Sequence, residues 1–334
     1  MKRKKIAAGI AAVLAAILTA CSGGGTDIED NILDGDGMAA CPIDIAYQYG
    51  MAYAPFIIMK EMRLIEKNYS GSYTLLVEWH QMNSGAAINE GIVGGSLQFG
   101  AMGVGPFVSG IAAGMPYKMF SNFSAQRQGL VTNDPDINSL ADFKEGDQIA
   151  LVNIGSIQHI LLAMAAKAEL GDAHALDGNI LAMSHPDGKT ALETGSVKGH
   201  LTSAPYIYME GENPDLHTVT DLSDVWPQGT SFIVGVASTE FAENNIAEYD
   251  AVIRAMKEAM DMLANDKETC AEILCQAEGV TKEQMLEWLN DEYCVYSMES
   301  KGVLNTAKFM YEEGFIEKEI TSFSELAFDN VEGN

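Results

Sequence analysis

The sequence predicts an α/β fold in two units followed by a helical C-terminal part. Three observations carry that reading. Short strands and helices alternate between Ile43 and Phe123, the pattern of a largely parallel sheet with helices on both faces. The alternation resumes at Leu130-Val131 and continues to Val236. From Tyr249 the strands give way to Val252, Ile253, Met256, Met260 and Leu263 at helical spacing. No repeat of roughly 20–50 residues is visible, which excludes a solenoid.

The elements follow in order. Ile43-Asp44-Ile45-Ala46-Tyr47 alternates apolar and polar side chains and is expected as the first strand. Pro55 opens a helix through Lys67, with Phe56, Met59 and Ile65 on its core side. Tyr73 to Trp79 is a second strand, and Ser84 caps a helix to Val93. Leu97 to Met102 is a third strand, Pro106 starts a helix ending near Gly114, and Tyr117 to Phe123 is a fourth strand. In the second unit Ser139 to Phe143 is a short helix and Gln148 to Val152 a strand. Ser156 opens a long helix to Leu170. Asn179 to Met183, Lys198 to Ser203, Leu216 to Thr220 and Phe232 to Val236 are strands. Lys189 to Thr194 and Pro205 to Met209 are short helices. Further helices are expected at 267–277, 282–290 and 300–312, with a loose wrap after Gly314.

Of the 334 residues, 47 % are hydrophobic and 20 % charged, a globular composition that excludes a disordered chain. Twenty Lys and Arg against 47 Asp and Glu give a formal charge of −27, which repels phosphate backbones and argues against nucleic acid. Only one stretch is apolar enough to consider for a membrane. It runs from Ile6 to Ile17 behind Lys2, Arg3, Lys4 and Lys5. A helix of that length rises about 18 Å, against a hydrocarbon core of about 30 Å, so it is expected as a secretory leader. Leu18-Thr19-Ala20-Cys21 follows and resembles a bacterial lipobox, with Thr19 where Ala or Ser is usual. That resemblance implies cleavage after residue 20, lipidation of Cys21 and anchorage on the outer face of the cell membrane. An ordinary cleaved leader is the alternative. Residues 21–40 are rich in Gly and acids and are expected as a flexible tether.

Four cysteines remain: Cys41, Cys270, Cys275 and Cys294. An exported chain allows disulfides, and Cys294 with Cys270 or Cys275 is the favoured pairing. The cysteine spacing and the six scattered histidines fit no metal site, and no cofactor is expected.

Familiar catalytic motifs are absent. Gly188-Lys189-Thr190 ends like a phosphate-binding P-loop, but Met183 stands where its first glycine belongs. The glycines from Gly91 to Gly105 do not complete a dinucleotide fingerprint, and no residue presents itself as a nucleophile beside a base. What recurs is a strand, a small or polar loop, and a helix with small first residues. It occurs at Asn83-Ser84-Gly85, Gly103-Val104-Gly105-Pro106, Asn153-Ile154-Gly155-Ser156 and Ser203-Ala204-Pro205-Tyr206. Such loops lie at the carboxyl ends of strands, where α/β sheets bind ligands. Helix N-termini there offer free N–H groups to an anion or polar acceptor. Each loop alone reads as ordinary capping; four together point to a cleft. His159, in the first turn of its helix, either donates to a ligand or is a solvated surface residue. His185, between a strand and a helix, is either a cleft residue or a turn residue.

The same loops resemble those of a known family. Ala46-Tyr47-Gln48 through Ala54-Pro55, Ser84-Gly85-Ala86-Ala87 and Met102-Gly103 through Pro106 match its first three loops. Gly155-Ser156 through His159, Leu192 through Gly195 and Ala204-Pro205-Tyr206 match its later ones. The family is the substrate-binding proteins of nitrate/sulfonate/taurine-type ABC importers, related to thiamine-precursor binders, and the resemblance spans residues 43–265. It implies a two-lobed type II periplasmic-binding (venus-flytrap) fold with the ligand between the lobes and a permease and ATPase as partners. Residues 41–130 and 235–330 would form one lobe and 131–234 the other, hinged near Leu130 and Ile233. The implied ligand-binding residues are Tyr47, Gln48, Tyr53, Ser84, Gly85 and Gly105 from the first half. Asn122, Gly155, Ser156, His159, His185 and Tyr206 complete the set. Family members that take sulfonates often add a cationic side chain; here Arg127 is the only arginine near a predicted loop, and a place on the hinge is its alternative reading. The loops also carry Tyr47, Tyr49, Tyr53, Phe107, Phe123 and Tyr206. Phe107 and Phe123 are expected in the core, and the tyrosines suit a ligand with a ring or apolar body. A sulfonate, a small oxyanion or a heteroaromatic therefore remain open. Two other functions stand beside import: a sensor lipoprotein that binds without transport, and a pyrimidine-related enzyme on the same fold. The relative of that second kind carries a cysteine-rich iron motif that this sequence lacks.

Overall fold

The computed structural model describes residues 39–334 and the two-residue strand β1 (Ile32–Leu33), which pairs antiparallel with Ala39 and Ala40. The leader over 1–20, Cys21 and most of the tether lie outside the described residues. Within the tether, Ile32-Leu33 and Ala39-Ala40 are strand rather than coil.

From residue 41 the chain builds two sheets. The first half contributes β2 (Ala39–Tyr47), β3 (Thr74–Gln81), β4 (Phe99–Gly103) and β5 (Tyr117–Ala125). Between them lie α1 (Ala54–Glu61), α2 (Leu64–Asn68), α3 (Gly85–Val93) and α4 (Val104–Ala112). The single helix expected from Pro55 to Lys67 is broken at Arg63, whose left-handed backbone (φ 52°) ends one helix and starts the next. The α4 helix begins two residues before Pro106, because Gly103 supplies the extended residue at its start.

Only Gln126-Arg127 separates β5 from β6 (Gln128–Thr132), which lies in the other sheet. That sheet adds β7 (Ile149–Leu151), β8 (Ile180–Ala182), β9 (Gly199–Ser203) and β10 (His217–Thr220), in the order β10-β6-β9-β7-β8. Its helices are α5 (Ile157–Leu170), α6 (His185–Glu193) and α7 (Tyr206–Gly211). The α6 helix starts four residues earlier than expected, with the Ser184 hydroxyl accepting the Asp187 N–H. The chain then returns to the first sheet as β11 (Ile233–Ser238), which inserts between β4 and β5.

Both sheets are mixed rather than largely parallel. β2 with β4, β7 with β8 and β7 with β9 are parallel; β11 is antiparallel to β4 and β5, and β6 to β9 and β10. β6 and β11 each arrive from the other sheet without the crossover helix that a parallel connection needs.

The C-terminal helices are α8 (Thr239–Asn244), α9 (Ile246–Asn265), α10 (Lys267–Glu278) and α11 (Lys282–Leu289). They begin ten residues before Tyr249, with the Ser238 hydroxyl capping α8. A short β12 (Val295–Tyr296) pairs back onto β5, followed by α12 (Val303–Glu312) and α13 (Phe323–Leu326). The tail is docked rather than loose. Ile316, Ile320 and Leu326 are buried, and the Phe328 N–H donates to the Met119 carbonyl at 3.0 Å.

Aromatic packing holds the first sheet. Phe56 of α1 meets Phe123 edge to face at 4.6 Å, and Phe99 meets Phe120 at 5.5 Å, all four fully buried. Phe107 is equally buried against Tyr117. The four cysteines are all free. Cys270 and Cys275 share one helix, and Cys294 is buried with its sulfur facing the Gln126 amide at 3.6 Å, so the expected pairing does not form.

Candidate functional site

Several helix starts converge between the two sheets. Ser84 caps α3, its hydroxyl accepting the Ala87 N–H at 3.2 Å. Ser156 caps α5 by accepting the His159 N–H at 3.3 Å. Gly103 precedes α4, Ser184 precedes α6, and a 3₁₀ turn at Met51–Tyr53 leads into α1. Gly85, Gly103, Ser156 and His185 from these starts line one chamber with Gln48, Tyr53 and Gln158. The chamber measures about 20 Å³, room for one water-sized group, because its walls nearly touch. A Cβ on Gly105 would lie 3.0 Å from the Gly155 carbonyl, and one on Gly50 would lie 3.2 Å from the Ala204 carbonyl. Gly50 also has φ +108°, which L side chains rarely adopt.

Outside the chamber a wider cleft of about 990 Å³ opens, reaching it past Tyr49, which lines both. Tyr47, Tyr206 and Met209 form part of its wall, and α10 supplies Thr269, Ile273 and Glu278. Burial lifts the Glu278 carboxyl to about 7 despite a hydrogen bond from the Gly50 backbone.

Among the described residues, no lysine or arginine lines the chamber. What the helix starts bring to it is the positive end of each dipole and first-turn N–H groups that have no partner within the helix. Arg127 is committed elsewhere: it bridges to Asp291 at 3.2 Å and lies over the Tyr293 ring at 4.2 Å, on the link between the sheets.

The residues expected to bind ligand divide into three groups. Gln48, Tyr53, Gly85, Ser156 and His185 line the chamber, and Tyr47 and Tyr206 line the outer cleft. Ser84, Gly105 and Gly155 shape the helix starts without lining either space. Asn122 and His159 point into the protein. The Asn122 amide donates to the Ser297 carbonyl at 2.7 Å. His159 is neither a solvated residue nor a lining one: it is buried, accepts the Gly155 N–H at Nδ1 (3.0 Å) and faces Asp177 with Nε2 (3.1 Å).

His185 is buried as well. Its Nε2 meets the Gln158 amide at 3.0 Å and its Nδ1 meets Nε2 of His200 at 3.1 Å, while its ring stacks on Tyr206. His200 in turn places Nδ1 2.6 Å from Oε1 of Glu210, and both side chains are buried. Burial holds His200 near 3; burial, then the neighbouring His200, holds His185 near 3. Burial raises Glu210 to about 8. The imidazoles are therefore neutral at physiological pH. Gly188 admits this arrangement, since a Cβ there would stand 2.7 Å from Nε2 of His200. The sequence reading missed Gln158 and the α10 wall. Gln158 carried a usable signal, a polar side chain two residues past a serine cap. The α10 residues lie more than two hundred residues from the first loop and carried none.

Residues 40–277 match the model of the NMT1-like family. No curated protein matches the sequence. Among solved structures, the alkanesulfonate-binding protein SsuA from Xanthomonas axonopodis pv. citri bound to MOPS superposes with a TM-score of 0.70 at 19 % identity, over 88 % of this chain and 98 % of that one. The periplasmic aliphatic sulphonate binding protein SsuA from Escherichia coli gives 0.64 at 20 % identity, over 87 % and 93 %. The periplasmic nitrate-binding protein NrtA from Synechocystis PCC 6803 gives 0.61 at 14 % identity, over 75 % and 70 %. These similarities establish a periplasmic-binding-protein fold, the type the sequence resemblance implied.

Proposed function

Because the chain belongs to the NMT1-like family, we propose that it is an exported solute-binding protein, lipidated at Cys21, that captures a small molecule and delivers it to an ABC importer. The observation that carries this reading is the convergence of helix starts from both sheets on one chamber. In the proposed division, residues 41–130 with 235–330 form one lobe and 131–234 the other. Each lobe supplies donors to the chamber, so a ligand contacts the full set only when the lobes close. Its contribution is the difference in affinity between open and closed forms.

The chamber favours an acceptor group such as a sulfonate or small oxyanion, held by backbone N–H groups and helix dipoles. The tyrosines of the outer cleft suit the body of such a ligand. Sulfonate and nitrate binding by the structural relatives supports the same class. Because the chamber is narrow, entry requires the lobes to part at Gln126-Arg127 and at the return segment before Ile233.

A thermal-shift panel tests this on the mature chain, with alkanesulfonates, nitrate, amino acids, aminopyrimidines and aromatic acids. A ligand at a hundred times its Kd adds about 2.7 kcal/mol and raises Tm by roughly 5–10 °C. An alkanesulfonate or oxyanion is expected to do so, and Ser156→Ala to diminish the shift. A response to aminopyrimidines alone would overturn the ligand class. Turnover of a bound compound would overturn the receptor reading.

A further inference from the structure

The chamber wall is connected to a carboxyl group in the interior. Gln158, His185, His200 and Glu210 form one unbroken line of hydrogen bonds at 3.0, 3.1 and 2.6 Å. Gln158 and His185 line the chamber, and Glu210 at the far end is fully buried. Its second oxygen, Oε2, has no hydrogen-bond partner among the described residues. A chain of neutral imidazoles has a direction, because each ring carries one N–H and one bare nitrogen.

We propose that Gln158-His185-His200-Glu210 is a proton wire, loaded from the chamber, that sets whether the chamber wall donates or accepts hydrogen bonds. This rests on the ligand-capture reading of the chamber and adds what selects the ligand's polarity. With Glu210 ionised, His200 donates from Nδ1 to the carboxylate and His185 donates from Nδ1 to Nε2 of His200. Nε2 of His185 is then bare and accepts from the Gln158 amide. A proton arriving at that nitrogen displaces the Nδ1 proton of His185 to Nε2 of His200. The Nδ1 proton of His200 then passes to Oε1 of Glu210. One proton enters, each ring gives up one and receives one, and Glu210 becomes neutral. Nε2 of His185 is now a donor, and the amide of Gln158 turns its oxygen toward it and its NH₂ group away. The wall has changed from acceptor to donor, and no charge remains on either ring.

The surroundings of Glu210 favour the loaded state near neutrality. Its group titrates at about 8, raised by burial and by Glu193 and opposed by Lys189. Those two, from α6, pair with each other at 2.6 Å. β9 contributes His200, β6 contributes no titratable side chain, and β10 contributes His217, whose Nε2 is taken by the Ile137 carbonyl. The α7 helix itself adds Tyr206 and Tyr208, both shifted upward by burial. At pH 7 the wire is thus loaded and the chamber presents donors, as an oxyanion requires.

Nitrogen-15 NMR of histidine-labelled protein between pH 6.5 and 9.5 reads the tautomers directly. His185 and His200 are expected to change together from Nε2–H to Nδ1–H with one midpoint near 8, neither ring becoming charged. Glu210→Gln is expected to abolish the change, and the wild-type titration decides even where that variant fails to fold. Fixed tautomers, or rings that titrate separately, overturn the wire. Calorimetry with ethanesulfonate supplies the second arm, with affinity expected to fall about tenfold from pH 6.5 to 9.5 as a donor to the anion is lost. Coupled tautomers with pH-independent ethanesulfonate binding overturn the link between wire and wall. Coupled tautomers with no ethanesulfonate binding at either pH overturn the sulfonate reading of the chamber and leave the wire standing.

Discussion

At the scale of single residues, burial sets the chemistry of the second sheet. Glu210 is raised to about 8 by burial, so folding keeps its proton above the ordinary carboxylate range. Its stabilising contribution is full below about pH 4.5 and is lost as pH rises through 8. Burial holds His185 and His200 near 3, so their contribution is full above about pH 6.5 and is lost as pH falls through 3. Among these three groups only Glu210 changes stability between pH 6.5 and 8, and it lowers it. Tm is expected to fall across that interval, and the fall to shrink in Glu210→Gln; a Tm that rises or stays level in wild type contradicts the assignment. How much of this was legible in sequence depends on distance along the chain. Ser84 and Ser156 announced themselves as caps because a capping serine bonds an N–H three residues on. His159, read in a helix's first turn, and His185, read between a strand and a helix, each left a binding and a bland reading open. Their fates are decided by Asp177, 18 residues away, and by His200, 15 residues away, which helical periodicity cannot reveal.

At the scale of elements, helix starts were the most legible feature and sheet direction the least. A cap is a local event, whereas direction depends on where a strand comes from. The α4 and α5 starts press together at Gly105, and that contact makes a prediction. Alanine at a helical position is ordinarily favoured over glycine by about 1 kcal/mol. At Gly105 the added carbon would meet the Gly155 carbonyl and the Ile157 N–H at 3.0 and 3.1 Å. Gly105→Ala is therefore expected to hold the two helix starts apart. Small-angle scattering should show a larger radius of gyration, and the ligand-induced thermal shift should be lost while the unliganded Tm is little changed. Unaltered affinity would show that the two starts need not approach this closely.

At the scale of the whole molecule, the chain leaves the first sheet after Ala125, builds the second, and returns at Ile233. The family resemblance made this itinerary legible, because loop order carries topology even where no single motif is diagnostic. The α10 wall was not legible, since nothing near Thr269 or Glu278 marks them as neighbours of Tyr47. The itinerary also fixes an order of assembly. β11 lies between β4 and β5 and pairs with both, so those strands have no hydrogen-bonded neighbour in common until residue 238 is available. A chain halted at Ser231 lacks both β11 and β12, so one edge of β4 and both edges of β5 stay open, and such edges template aggregation. That truncation is expected to be recovered as aggregate, and recovery as a folded monomer would contradict it. Under the proposed export, in which the chain crosses a membrane unfolded and N-terminus first, the keystone of the first sheet arrives late. The second sheet's strands, β6 to β10, have all emerged by then, so the part inserted in the middle of the gene is free to finish folding before the part that begins it.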